Sequence, residues 1–180
     1  MTRHVVVMGV SGTGKTSVGR AIAGALTADF IEGDDLHPAA NVAKMAAGVP
    51  LTDADRGPWL EALAKTIAAA DARGRSTVTA CSALRRVYRD RLGDAVAPGR
   101  MRFVHLEVDA ATLRDRMVRR DHFMPPDLLA SQLATLEPLE PDEPGVVIDG
   151  SAPLPEVIAA VRHALDVDPA SPDPASQSGG

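Results

Sequence analysis

Residues 9–16 read Gly-Val-Ser-Gly-Thr-Gly-Lys-Thr and lie between an apolar run at 4–8 and a helical pattern at 15–26. This segment fits G-x-x-x-x-G-K-[ST], the P-loop that joins a strand to a helix. Its glycines let main-chain N–H groups converge on phosphate oxygens, and the helix points its positive N-terminal end at the same anion. The sequence therefore predicts an α/β protein that binds a nucleotide.

The P-loop pattern assigns roles to its last two residues. Lys15 reaches the β- and γ-phosphates, and the Thr16 hydroxyl ligates Mg²⁺, so ATP and Mg²⁺ are the expected cofactors. Glu32, at the end of a predicted strand, is a candidate to contact the ion through water. The candidate nucleotide-binding residues are Gly9, Ser11, Gly12, Thr13, Gly14, Lys15, Thr16 and Ser17.

Apolar runs and helical patterns alternate along most of the chain. After the strand at 4–8 we expect strands at 28–32, 76–81, 101–106 and 145–149. The helical patterns cover 15–26, 37–72 with breaks at 48–50 and 56–58, 86–92, 110–120, 127–136 and 155–165. This alternation predicts a parallel sheet built from βαβ units, with helices on both faces. We expect one domain over 1–166 and a disordered tail at 167–180, which is rich in Pro, Ser, Ala and Gly.

Composition excludes several classes of protein. One cysteine in 180 residues rules out a disulfide framework and a four-cysteine zinc site. A net charge of -5 argues against non-specific binding of nucleic acid. No apolar run approaches the roughly 20 residues that cross a bilayer, and we see no signal peptide. We therefore expect a cytoplasmic protein that binds neither nucleic acid nor membrane.

Other P-loop classes carry signals that this sequence lacks. A GTPase would have an Asn/Thr-Lys-x-Asp segment, and none is present. A motor ATPase would end an apolar strand with an acid, but the strand at 76–81 ends in Ala80-Cys81, where we expect Cys81 to be a packing residue. Asp149 follows an apolar run late in the chain and reads more readily as a turn aspartate. The pattern favours a kinase for a small molecule or a nucleoside monophosphate.

Candidate acceptor-binding residues follow the second and third strands, at the edge where ligands bind to open α/β sheets. Asp34 can accept the proton of an attacking hydroxyl and orient it toward the γ-phosphate. We expect His37 and Lys44 on one helical face, if that segment is helical throughout. Arg56 and Arg85 are candidate partners for an anionic group, although salt bridges to neighbouring acids are an alternative for Arg56.

A basic segment late in the chain is a candidate lid, about 116–136. Arg116, Arg119 and Arg120 are spaced to share one helix face. Arginines that close over the phosphoryl group stabilise its charge and help to exclude water. We expect Lys15, Asp34, Arg119 and Arg120 to be catalytic and Arg116 to contact ATP. His122, two residues after Arg120, is a candidate substrate-binding residue.

Beyond the P-loop, three blocks of sequence resemble the gluconokinases, a family of P-loop kinases, and the resemblance reaches to about residue 165. The first block reads Gly33-Asp34-Asp35-Leu36-His37-Pro38, with Asn41, Lys44-Met45, Gly48, Pro50-Leu51, Asp53 and Asp55-Arg56-Gly57-Pro58-Trp59-Leu60. The second reads Cys81-Ser82-Ala83-Leu84-Arg85 with Tyr88-Arg89, and the third reads His122-Phe123-Met124-Pro125, with Leu128-Leu129, Ser131-Gln132 and Leu136-Glu137-Pro138-Leu139-Glu140.

The resemblance implies Mg²⁺- and ATP-dependent phosphorylation of D-gluconate at its 6-hydroxyl, giving 6-phosphogluconate. It also implies a five-stranded parallel sheet of order 2-3-1-4-5 in a three-layer sandwich with a helical lid, and a homodimer. On this reading Asp34 orients or deprotonates the alcohol, His37 contacts a hydroxyl, and Lys44, Arg56 and Arg85 are alternatives for the carboxylate. The segment from Arg116 to His122 is one residue shorter than the family pattern, so which lid arginine contacts ATP stays open.

Two alternatives remain at this point. A related kinase acting on shikimate or a nucleoside monophosphate would share the P-loop and the sheet. A nucleotide-binding regulatory module without turnover would share them as well, but it would leave Asp34 and the lid arginines without a role.

Overall fold

The computed structural model of the chain describes residues 2–118 and 126–167. Five parallel strands form one sheet in the order β2-β3-β1-β4-β5, which confirms the expected 2-3-1-4-5 arrangement. The strands are β1 His4–Met8, β2 Asp29–Glu32, β3 Thr77–Ala80, β4 Met101–Glu107 and β5 Gly145–Asp149. The helices are α1 Lys15–Leu26, α2 Ala39–Ala46, α3 Asp53–Ala72, α4 Arg86–Gly93, α5 Ala110–Val118, α6 Pro126–Thr135 and α7 Leu154–Ala164.

Strand β1 lies at the centre of the sheet, and all five of its residues are buried. Val5 and Val7 join a cluster with residues of α1 and α7, such as Ile22 and Val161. Val6 and Met8, which alternate with them, join a second cluster with residues of α3 and α4. Successive side chains of a strand point to opposite faces, so this division produces the three-layer α/β sandwich.

The expected break at 56–58 is wrong, because α3 runs without interruption from Asp53 to Ala72. Thr52 caps the helix: its hydroxyl accepts a hydrogen bond from the Asp55 main-chain N–H, and the Asp55 carboxylate accepts one from the Thr52 N–H. This capping box stabilises the first turn. Pro58 removes one main-chain donor, but its fixed φ suits a helix, and burial of Trp59 and Leu63 holds the segment against the sheet.

A third apolar cluster joins the end of the sheet to α5 and α6. Val10 of the P-loop packs with Leu84, Leu113 and Leu129, and all four are buried. At the sheet margin, the Asp149 carboxylate accepts a hydrogen bond from the Ser151 N–H, 2.8 Å away, so Asp149 is the turn aspartate that we expected. None of the helices in the described part of the chain has both the length and the apolar character needed to cross a membrane.

Candidate active site

The P-loop follows β1 and takes backbone conformations that glycine permits. Gly14, directly before α1, has φ of 97°, in the left-handed region. Gly9 has φ of 139°, and a Cβ there would lie 2.8 Å from the Leu106 carbonyl oxygen. A side chain at either position would strain the turn, so the two glycines bring the loop from the buried strand to the N-terminus of α1.

The side chain of Lys15 folds back against the P-loop to which it belongs. Its ammonium donates to the Val10 carbonyl oxygen at 2.9 Å. Burial lowers the pKa of Lys15, while the negative charges of Asp34 and Glu32 act in the opposite direction. Lys15 therefore lies near two carboxylates, at the point where the P-loop pattern expects the terminal phosphates of a nucleotide.

Thr16 and Glu32 meet at the mouth of the P-loop. The Thr16 hydroxyl donates to a Glu32 carboxylate oxygen at 2.8 Å, which joins the first turn of α1 to the end of β2. Ser17, the next residue, is exposed on α1. Within residues 2–118 and 126–167, no three His, Cys, Asp or Glu side chains are grouped closely enough to hold a metal ion. The Thr16–Glu32 pair still fits Mg²⁺, since this ion takes most of its ligands from water and phosphates in kinases.

Asp34 lies in a short 3₁₀ turn, Gly33–Leu36, directly after β2. The turn packs tightly against β3, because a Cβ on Gly33 would lie 2.4 Å from the Ala80 carbonyl oxygen. The Trp59 indole N–H donates to the Gly33 carbonyl oxygen at 2.7 Å. Among the described residues, the Asp34 carboxylate accepts no hydrogen bond, so it is available to a ligand.

His37 stacks on Trp59 with ring centroids 4.2 Å apart. The Asn41 amide nitrogen lies 3.3 Å from His37 Nδ1 and also donates to the Asp55 carbonyl oxygen. His37 Nδ1 is therefore the acceptor, which puts the proton of a neutral ring on Nε2. Burial lowers the pKa of His37, and Arg56 lowers it further against the opposing effect of Asp34. This favours the neutral ring, with Nε2–H as a hydrogen-bond donor.

The expected shared helical face of His37 and Lys44 is not formed. His37 follows the 3₁₀ turn in an extended conformation, and α2 begins only at Ala39. Lys44 forms an ion pair with Asp55 at 2.7 Å. The segment is not helical throughout because Pro38 disfavours a helical conformation of the residue before it, and α2 begins directly after this proline. Neither Asp34 nor Asp35 caps α2.

Arg56 differs from the other two candidate cations in how well it is paired. It is buried, and its only contacts with polar groups of the described residues are long: 3.4 Å to the Tyr88 hydroxyl and 3.8 Å to Asp53. Arg85 forms ion pairs with Asp53 and Glu137. A buried guanidinium with most of its donors unused is a strong site for an anion.

One cavity, of about 90 Å³, brings the P-loop and the acceptor-side residues together. Lys15, Asp34, His37 and Arg56 all line it, whereas Lys44 and Arg85 are not part of its wall among the described residues. The remaining lining residues are Ser11, Met45, Pro50, Leu51, Trp59, Ser82, Leu84, Leu128, Ser131 and Gln132. The candidate general base Asp34, the P-loop lysine and the poorly paired Arg56 thus face one space.

The candidate lid is described only in part. Arg116 donates to the Gly150 carbonyl oxygen at 2.8 Å and the Ser151 carbonyl oxygen at 3.3 Å, next to the turn after β5. Arg119, Arg120 and His122 lie outside the described residues, so their predicted roles stay predictions. Cys81 is buried, and burial raises the pKa of its thiol to about 12, which makes it a packing residue as expected.

Two residues of the site carried no assigned role in the sequence. Trp59 is the single tryptophan of the chain and lies in a polar segment, which could have identified it as a residue that positions the turn after β2. Gln132 lies far along the chain from the P-loop, yet its side-chain oxygen accepts a hydrogen bond from the Ser11 N–H at 2.7 Å. No pattern within the α6 sequence indicates this contact, because it depends on how α6 packs.

Comparison with known proteins connects this geometry to a family. A family model described as an AAA domain matches residues 5–139, from β1 to the segment after α6. A gluconokinase of Gluconobacter oxydans (strain 621H) is 48% identical over 164 residues, covering 89% of this chain and 90% of that protein. The chain belongs to the gluconokinase family. The resemblance seen in the three sequence blocks is thereby confirmed.

Solved structures of a gluconokinase and of a sugar kinase have the same fold as this gluconokinase-family chain. A gluconokinase from Sinorhizobium meliloti 1021 superposes with a TM-score of 0.79 at 44% identity, covering 91% of this chain and 95% of that one. A sugar kinase from Janibacter sp. superposes with a TM-score of 0.87 at 48% identity, covering 95% of this chain and 98% of that one. A shikimate kinase from Bacteroides thetaiotaomicron gives 0.64 at 14% identity over 91% and 98%, which shows a shared fold alone.

Proposed function

We propose that this chain transfers the γ-phosphoryl group of ATP to the 6-hydroxyl of D-gluconate, giving 6-phosphogluconate and ADP. Membership of the gluconokinase family supports this activity. The observation that carries the assignment of substrate groups is the cavity in which a buried, poorly paired Arg56 faces Asp34 and Lys15. Gluconate has a carboxylate at one end and a primary alcohol at the other, which matches a cation and a base in one space.

Arg56 is the proposed partner of the gluconate carboxylate. Its guanidinium already lies in a buried position, and a carboxylate would satisfy its unused donors in bidentate fashion. Each charge-assisted hydrogen bond of this kind contributes on the order of 1.5–3 kcal/mol. Lys44 and Arg85 are weaker alternatives, since each already forms an ion pair with a protein carboxylate.

Asp34 is the proposed base, and His37 the proposed donor to another hydroxyl. Asp34 accepts the proton of the 6-hydroxyl while the hydroxyl oxygen forms a bond to the γ-phosphorus. At the same time the bond between the γ-phosphorus and the β–γ bridging oxygen breaks, and ADP leaves. The neutral His37 ring donates from Nε2 to a second hydroxyl and holds the sugar chain in register. Asp34 lies within the 3₁₀ turn that Trp59 anchors, and His37 directly follows that turn.

Lys15 and the P-loop are proposed to hold the nucleotide. Lys15 exchanges the Val10 carbonyl for phosphate oxygens and stabilises the negative charge that develops during transfer. The other proposed phosphate-binding residues are Gly9, Ser11, Gly12, Thr13, Gly14, Thr16 and Ser17. Arg116, Arg119 and Arg120 remain proposed lid contacts to ATP, and His122 a proposed contact to the substrate.

Mg²⁺ is the proposed cofactor. The Thr16 hydroxyl would bind the ion directly, and Glu32 would contact it through water. When bound, the ion neutralises charge on the β- and γ-phosphates. A homodimer, which rests on the family resemblance, and a cytoplasmic location, which rests on the composition of the sequence, are further proposals. Light scattering that gives about twice the monomer mass of 18.8 kDa would support the dimer, and a monomer at working concentration would contradict it.

The proposed activity is tested with an assay that couples ADP release to NADH oxidation. We expect ATP-dependent turnover with gluconate and little with shikimate or nucleoside monophosphates, and mass spectrometry should place the new phosphate on carbon 6. A preference for shikimate or a nucleotide would overturn the substrate assignment. The absence of ATP consumption with every sugar acid would support a regulatory module instead.

A further inference from the structure

The contact between α6 and the P-loop involves a side chain that the proposed reaction does not use. Gln132 Oε1 accepts a hydrogen bond from the Ser11 main-chain N–H at 2.7 Å, although 121 residues separate the two in sequence. Ser11 is the third residue of the P-loop, on the side that faces the acceptor cavity. The contact therefore joins a residue of α6 to the border between the nucleotide and acceptor sites.

Helix α6 holds Gln132 in place through apolar packing and main-chain bonds. Leu129, one turn before Gln132, is buried in the cluster that contains Val10 of the P-loop and Leu84. Directly after the helix, the Glu137 N–H donates to the Leu84 carbonyl oxygen at 2.7 Å. A side chain that packing and a hydrogen bond already hold in place loses little conformational freedom when it contacts a ligand, which suits Gln132 to a positioning role.

The Ser11 contact also fixes which way the Gln132 amide points. An N–H donor selects the amide oxygen, so Nε2 and its two hydrogens point away from the Ser11 nitrogen. Within the part of the chain that the structure describes, Nε2 has no hydrogen-bond partner. Gln132 lines the same cavity as Asp34 and Arg56. Two oriented donors are thus available at the wall of the acceptor site.

We propose that Gln132 is an acceptor-binding residue, whose Nε2 donates to a hydroxyl of the polyhydroxylated substrate while Oε1 stays on the Ser11 N–H. This inference rests on the proposed function, since it assigns one more contact to the same substrate. Arg56 binds one end of the acceptor and Asp34 the reacting end, so Gln132 provides recognition of the hydroxyl chain and links it to the P-loop. Acceptors without the matching hydroxyl would leave these donors unpaired.

The test compares wild type with Gln132→Met, which keeps the side-chain length but has neither the oxygen nor the donors. We expect KM for gluconate to rise about 10-fold, with the dissociation constant of ADP, measured by calorimetry, changed less than about twofold. Thr135→Val, one turn further along α6, is the matched control because the Thr135 hydroxyl bonds only to the Ser131 carbonyl within the helix among described residues. It should match wild type in both measurements.

The decisive measurement uses analogues of gluconate that lack one hydroxyl each. If Gln132 binds a hydroxyl, Gln132→Met should raise KM about 10-fold for gluconate. It should not raise KM for the analogue that lacks that hydroxyl, because wild type has no contact to lose there. An equal loss with every analogue, no loss with gluconate, or a loss confined to ADP binding would overturn the proposal. Should thermal melting show that the Gln132→Met variant is unfolded, Gln132→Leu, which also lacks the oxygen and the donors and adds no charge, is measured with the same analogues and the same criteria. A wild-type enzyme that does not phosphorylate gluconate would instead overturn the proposed function.

Discussion

The ring of Trp59 stacks on the imidazole of His37, with the two planes only 13° apart. The same indole donates its N–H to the Gly33 carbonyl oxygen. One buried side chain of α3 therefore holds both ends of the short turn that carries Asp34. This arrangement explains how a segment outside the sheet can keep a candidate base in a fixed position.

Trp59→Phe should separate positioning from nucleotide binding. Phenylalanine retains a stacking ring but has no donor, which removes the hydrogen bond to the Gly33 carbonyl oxygen at a cost of about 0.5–1.5 kcal/mol. We expect the melting temperature to fall and kcat with gluconate to decrease about 10-fold, with ADP affinity unchanged. Steady-state kinetics and calorimetry check this. An unchanged kcat would show that the turn does not need the indole hydrogen bond.

Lys15→Met should remove turnover while the protein still folds. The substitution keeps the apolar stem but removes the charge that stabilises the β- and γ-phosphates, so kcat should fall by at least about 10²- to 10³-fold. The coupled assay gives the rate, and thermal melting confirms folding. Near-normal activity would mean that the P-loop lysine has been wrongly assigned.

Asp34→Asn should reduce kcat more than it changes nucleotide affinity. The amide keeps the size of the side chain but cannot accept the hydroxyl proton, and loss of a general base costs about 10²- to 10⁴-fold. Asp35→Asn is the matched control, because Asp35 is an exposed neighbour in the same 3₁₀ turn and does not line the cavity. An effect on KM alone would instead make Asp34 a substrate-binding group.

The three candidate cations can be ranked by substitution with methionine. Arg56→Met should raise KM for gluconate about 10- to 100-fold, since it removes charge-assisted hydrogen bonds to the carboxylate. Lys44→Met, whose ammonium pairs with Asp55, should change KM less than about threefold, as expected for a surface ion pair. If substitution of Lys44 or Arg85 raised KM more than substitution of Arg56 does, that residue and not Arg56 would be the partner of the carboxylate.

The carboxylate of Asp71 should make the stability of the fold depend on pH. Hydrogen bonds from Thr2 and His4, together with Arg100, lower the pKa of Asp71 from 3.8 to about 2. Between these values the unfolded chain binds more protons than the folded one, so this contribution to stability is present above about pH 4 and is lost as the pH falls toward 2. In urea unfolding, the free energy of unfolding should fall less between pH 7 and pH 3 for Asp71→Asn than for wild type. Activity at pH 7 should not change.

Much of the site could be predicted because its motifs are local. Residues 9–16 define a P-loop through glycines whose backbone conformations side chains would strain, and Gly9 and Gly14 adopt such conformations. Strand β1 was predictable from its apolar run, since a strand buried on both faces must be apolar at nearly every position. The continuity of α3 was not, because the Gly57-Pro58 signal is local whereas the capping box and the buried face that outweigh it act together in the folded protein.

The sequence by itself determined the fold class, the phosphate-binding loop and the set of charged residues from which an acceptor site is built. Only the tertiary structure decided which of those charges remain available. Lys44, Arg56 and Arg85 look alike in sequence, but Asp55 neutralises the first and Asp53 with Glu137 the third, which leaves Arg56 in the cavity wall. The physical reason is that the pairing of a charge depends on distances of a few ångströms between residues far apart in the chain, as Gln132 and Ser11 also show.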